Sequence, residues 1–158
     1  MSQGDKIALR LDAAVPGLEA LDGVISLSAG VFEGARNEES DRFVAEYAIY
    51  NEFGTRRIPA RPALRTTLEA NEDHYLDGLA ETLMSGLAGE GPLDLEAALE
   101  TLGQTIEGDI TKNIAEWESP PNAKATRDRK AKKNAGNVPG PLKDTTAYLR
   151  AVSSRVDR

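Results

Sequence analysis

The sequence contains no cysteine. That excludes disulfides, thiolate nucleophiles and cysteine-based zinc sites, and it leaves the redox compartment open, though a reducing one fits. Aromatic residues make up only 5%, a poor supply for the stacking platform that reads single-stranded nucleic acid. The one histidine, His74, lies between Asp73 and Tyr75. No GxSxG-type elbow is present to give such a base a nucleophile, so we read His74 as a surface or packing residue. No GxxxxGKS/T or GxGxxG follows a strand pattern, and no HExxH or calcium-loop spacing occurs. No catalytic residue, metal ligand or cofactor is therefore assigned, and enzymatic activity is not expected. No stretch approaches the ~20 apolar residues of a membrane span. MSQGDKIALRLD has no basic region followed by an apolar one. A soluble chain, not processed by secretion and without a membrane partner, is expected.

What is present is globular in composition. With 158 residues, 40% hydrophobic and 28% charged, the chain suits one domain over 1–158 with a core of its own. The net charge of -7 is unevenly spread. Thr66 to Glu118 holds thirteen acidic residues and one basic residue, Lys112, whereas Lys124 to Lys143 holds seven basic residues and one acidic residue, Asp128. Such polarity favours electrostatic association with complementary surfaces, and copies of the chain itself qualify.

Periodicity predicts an α+β fold. Ile7, Leu9 and Leu11 alternate as in a short strand, and a short helix is expected near Pro16–Leu21. Ile25, Leu27, Ala29 and Val31 alternate in a second strand. After a polar turn, Phe43, Ala45, Tyr47, Ile49 and Phe53 alternate again, which predicts an antiparallel hairpin closed by Gly54 at positive φ. Pro59 and Pro62 hold the next residues extended. Leu64, Leu68, Tyr75, Leu79, Leu83 and Leu87 then mark one amphipathic helix. A second, capped by Asp94, carries Leu95, Leu99, Leu102, Ile106, Ile110, Ile114 and Trp117, with Gly103 and Gly108 inside it. From Glu118 to Pro141 the pattern vanishes, predicting a long basic loop, extended or partly disordered. A short helix capped by Asp144 and a last strand through Val152 and Val156 follow. The expected architecture is a small antiparallel sheet packed against two long amphipathic helices.

Two basic segments are candidate interaction sites. Arg56, Arg57, Arg61 and Arg65 lie in the proline-stiffened stretch GTRRIPARPALR, where a planar guanidinium fork suits carboxylate or phosphate, and pairing within the subunit or with a neighbour is favoured over direct contact with nucleic acid. Lys124, Arg127, Arg129, Lys130, Lys132 and Lys133 fall in the expected loop. They suit either an acidic protein surface or non-specific tracking of DNA phosphates, with protein the favoured partner. Glu69, Glu72, Asp73, Asp77 and Glu81 fit the solvated face of the first long helix, and a basic partner is the alternative.

The segment YAIYNEFGTRRIPARPALRTTLE resembles the signature of phage tail-completion proteins, which join head to tail in the neck of long-tailed phages. The matching positions are Tyr47, Glu52, Phe53, Gly54, Thr55, Pro59, Ala60, Arg61, Pro62 and Leu64. PLKDTTAYLRAVSSRV resembles the family's closing motif through Pro141, Leu142, Asp144, Thr145 and Leu149. Trp117 to Asn122 is similar to related phage virion-morphogenesis proteins. The resemblance implies a non-enzymatic virion subunit that joins the DNA-filled head to the tail, with an antiparallel sheet and helices on one side. The implied partners are copies of itself in a ring, with hexameric symmetry expected, and the adjacent neck, connector, tail-tube or tail-terminator proteins. Localisation in the virion neck or tail is implied, with the host cytoplasm as the place of assembly. A tail terminator or minor tail protein is the alternative, followed by a non-specific nucleic-acid-binding protein that uses the basic loop and contacts DNA in the channel.

Overall fold

The computed structural model describes residues 26–37, 41–90, 93–133, 140–142 and 146–157. The strand expected at Ile7–Leu11, the helix near Pro16–Leu21 and the cap Asp144 lie outside them. The order is β1 (Ser26–Val31), α1 (Val44–Phe53), α2 (Ala63–Leu87), α3 (Leu95–Glu116), α4 (Lys124–Lys133), α5 (Ala147–Arg150) and β2 (Val152–Asp157). The fold is α+β, with a two-stranded antiparallel sheet and two long helices packed against it.

α3 organises the core. The Asp94 carboxylate accepts from the Ala97 amide at 3.0 Å and starts the helix, satisfying one of the amides that a helix N-terminus leaves unpaired. Leu99, Ile106, Ile110 and Ile114 then fall on one face and are buried. Each isoleucine removed from water contributes roughly 1.5–3 kcal/mol. Gly103 shares that face because the sheet comes too close for a side chain: an added Cβ would overlap Ser154 and stand 3.1 Å from Leu27 Cδ1. The Glu107 carboxylate accepts from the backbone amide and the hydroxyl of Ser154, which fixes β2 along the helix.

α2 runs antiparallel to α3, since the start of one meets the end of the other. The Asn113 amide donates to Ala63 O at 2.9 Å and to Thr67 Oγ1 at 2.8 Å, and Tyr75 donates to Asp109 at 2.8 Å. Burial and the Asp109 carboxylate both push the Tyr75 phenol above its ordinary pKa, so it remains a neutral donor. Of the expected α2 stripe, Tyr75 and Leu79 are buried, Leu64, Leu68 and Leu83 are half-buried, and Leu87 is exposed.

Two expectations are corrected. The strand expected through Phe43–Phe53 as partner of 25–31 is instead the helix α1, so the expected hairpin does not form. β1 instead pairs with the C-terminal strand, Ser26 opposite Asp157 and Val31 opposite Val152. The inward face of α1 is Val44, Ala48 and Glu52, spaced by four, whereas the alternating set included Phe43, Ile49 and Phe53, which point outward. A helix apolar on two sides imitates a period of two. The second correction is the basic loop: Lys124–Lys133 is the helix α4. KATRDRKAKK has neither glycine nor proline and is rich in good helix formers. Lys130, Lys132 and Lys133 occupy its last turn, where cations offset the exposed carbonyls of a helix C-terminus.

Candidate assembly interface

The arginine-rich corner between α1 and α2 is built by interlocking backbone and side-chain contacts. Gly54 ends α1 at φ +71°, in the left-handed region that favours glycine. The chain folds back so tightly there that an added Cβ would lie 2.8 Å from Ala60 N. The Thr55 amide donates to Ile58 O at 2.8 Å, and its hydroxyl accepts from the amides of Arg57 and Ile58. This turn holds Arg56, Arg57 and Ile58 at the surface.

α2 begins at Pro62, which supplies no side-chain cap. Glu52 supplies it from α1: its two carboxylate oxygens accept from the amides of Leu64 at 3.2 Å and Arg65 at 3.0 Å. A negative charge at a helix N-terminus is favoured by the unpaired amides. Burial nevertheless raises the Glu52 pKa above its ordinary value, against the lowering effect of those amides and of Arg65.

The four arginines part company here. Arg61 is only 4% exposed. Its Nε donates to Pro120 O at 2.8 Å and its Nη2 to Pro121 O at 3.0 Å, so it clamps the segment between α3 and α4 onto the corner. Burial lowers its pKa. Arg65 is half-buried, with its guanidinium 5.9 Å from the Phe53 ring centre. Of the four, only Arg56 and Arg57 are exposed. Of the two expected kinds of pairing, Arg61 makes the internal one, and Arg56 and Arg57 stay on the outside.

The basic run divides in the same way. Lys130 is buried, and its Nζ donates to Gly140 O at 3.2 Å. Lys124, Arg127, Arg129, Lys132 and Lys133 are exposed on α4. Beside α4 lies an open cleft of about 680 Å³ lined by Arg42, Asn51, Asn122, Arg129 and Lys130, with Tyr47 and Tyr148 among its walls. The rings of those tyrosines meet edge to face, 6.2 Å apart. Burial is the largest cause of the raised Tyr148 pKa, with the charge of Glu52 adding to it.

Sequence reasoning missed a set of exposed apolar side chains. Phe43, Ile49, Tyr50, Phe53 and Ile58 surround α1, and Met84, Leu87 and Leu93 surround the α2–α3 turn. Ile49, Tyr50, Phe53 and Met84 lie off the buried faces of their helices, Leu87 ends the expected α2 stripe, and Phe43, Ile58 and Leu93 lie outside the helices, so period alone does not say which of them are covered. Next to the first set, a groove of about 470 Å³ runs between β1 and α1, with Ala29, Val31, Ile49, Phe53, Leu64 and Leu68 on its walls. Among the described residues no group of three or more His, Asp or Glu could hold a metal ion, and no helix is long and apolar enough to cross a membrane. His74 is exposed on α2. No protein-family model, curated protein or solved structure matches this chain.

Proposed function

We propose that this chain is a non-enzymatic structural subunit of a long-tailed phage particle, joining the DNA-filled head to the tail as a ring of identical copies in the neck. One observation carries the reading. The segments that resemble tail-completion proteins are separate in sequence but meet at a single corner. Glu52 caps α2, Gly54 and Thr55 shape the turn, and Arg61 grips the carbonyls of Pro120 and Pro121. Asn122 and Lys130 in turn reach Gly140, beside Pro141 and Leu142. The cost of such a corner is a buried carboxylate and a buried guanidinium, and it presents Arg56, Arg57 and an apolar helix face to the outside. That is the composition of a protein-docking surface, in which aromatic residues and arginine are enriched.

The test is to remove the chain from the phage that encodes it and image the products. Filled heads and finished tails accumulating apart, with the chain found at the neck of normal particles, is the expected result. Tails of abnormal length would instead select a tail terminator, and absence of the chain from purified particles would end the reading.

A second reading, non-specific contact with DNA in the channel, is favoured by the five exposed cations of α4. Phosphate contacts of that kind weaken steeply with salt.

A further inference from the structure

All eight large apolar residues that the described part of the molecule exposes fall into two groups, one toward each end of α2. Phe43, Ile49, Tyr50, Phe53 and Ile58 lie on or beside α1, whose Glu52 caps the start of α2. Met84 and Leu87 lie in the last turn of α2, and Leu93 just ahead of α3. α2 has 25 residues, so about 37 Å of helix separates its two ends. One molecule cannot bring these groups together. Monomers rarely expose such clusters, and a rim of polar residues around one marks an interaction site.

The rims carry opposite charge. Around the first group stand Arg36, Arg56, Arg57 and Arg65, with the Arg36 guanidinium 4.2 Å from the centre of the Phe43 ring. This rim also holds acids, with Asp41 paired to Arg36 at 3.0 Å, Glu46 accepting from Tyr50 and Glu33 exposed beside the groove, so its excess of positive charge rests on Arg56, Arg57 and Arg65. Around the second group stand Glu81, Glu90 and Asp94, all exposed. No lysine or arginine occurs between Thr66 and Thr111.

We infer that the α2–α3 tip of one copy docks on the α1 corner of the next, with Met84, Leu87 and Leu93 against Ile49, Phe53 and Ile58 and the carboxylate rim against the arginines. The inference rests on the reading of this chain as a ring subunit, and it names the two surfaces that meet. Docking like ends together would set arginine against arginine or carboxylate against carboxylate, which costs affinity. A head-to-tail contact between different surfaces has no two-fold axis, so it continues from copy to copy and closes into a ring when the rotation allows.

The experiment uses the full chain, with mass measured in solution. Phe53→Glu and Leu87→Glu alter side chains that are about half exposed, so each variant should keep the wild-type circular dichroism spectrum. Each should lose self-association by about 100-fold or more, the scale of a central contact residue. Mixed together, the two variants should form a one-to-one dimer and grow no further, because the pair retains one intact corner and one intact tip. As an independent check, Arg56→Glu with Arg57→Glu should weaken assembly, and Glu81→Lys with Glu90→Lys should restore it. Wild-type chain that stays monomeric at every attainable concentration would overturn the pairing. So would single variants that assemble normally, or a mixture that stays monomeric. Pairing that survives in a chain absent from particles would remove the neck reading alone. Particles that contain the chain but assemble unaffected by both substitutions would remove the pairing alone.

Discussion

Arg61→Ala is the most informative single substitution, because of the two pairings open to this arginine, within the subunit or with a neighbour, the structure shows the internal one. Its guanidinium donates to the carbonyls of Pro120 and Pro121 at 2.8 and 3.0 Å, while the contact with Asn51 Oδ1 at 3.4 Å is too long to count for much. Two hydrogen bonds from a charged donor contribute about 1.5 kcal/mol each at the low end of their range. The buried aliphatic stem adds about 1 kcal/mol of packing. Removing the cation also removes its desolvation cost, which is the cause of its lowered pKa, so part of that total is returned. The net expected loss is about 3 kcal/mol. In a chain of 158 residues this lowers Tm by about 6–12 °C. Urea unfolding of the wild type, Arg61→Ala and Arg61→Lys measures it directly. Lysine keeps the charge but cannot span both carbonyls, so it should recover less than half of the loss. A loss below about 1 kcal/mol for alanine, or full recovery by lysine, refutes the clamp.

Further consequences are testable on the same material. Gly103→Ala should cost about 1–3 kcal/mol in chemical denaturation, because its Cβ would overlap Ser154. Gly108→Ala, where an added Cβ meets nothing within 4 Å, should stabilise α3 by up to about 1 kcal/mol. The folded-state pKa of Glu52 is raised above 4.5, so the native state holds that proton more tightly than the unfolded one. Stability should therefore fall as pH rises from 4.5 through the folded value. Glu52→Gln should flatten that slope in a pH series of unfolding midpoints, and an unchanged slope would place its origin elsewhere. If α4 touches DNA, replacing Lys124, Lys132 and Lys133 by alanine should weaken binding and reduce the steepness of its salt dependence by roughly one contact per lysine. An unaltered slope in a salt titration removes DNA from the account of α4.

The corner was half legible beforehand. The sequence points to a positive φ at Gly54, and the structure has it there, but the residue ends a helix rather than a hairpin strand. Arg56 and Arg57, candidate contact residues by sequence, are exposed. Arg61 looked equivalent to them, because nothing in RIPAR indicates that two carbonyls sixty residues away lie beneath it. Glu52 carried no signal of its capping role, as its amides belong to Leu64 and Arg65 rather than to its own helix. Long-range hydrogen bonds leave no local pattern.

Local chemistry alone determined α2, α3, the Asp94 cap and the strands at 26–31 and 152–157, because each depends on the period of apolar residues or on a side chain bonding to amides nearby. Only tertiary structure decided that 43–53 is helical. Its two apolar faces fit both periods, and the choice goes to the one that buries Val44 and Ala48 against the core. Tertiary structure also decided which strand pairs with β1, through the close approach of Ser154 to Gly103 and its hydrogen bonds to Glu107. Period specifies what a segment can bury; the rest of the molecule settles which face finds something to be buried against.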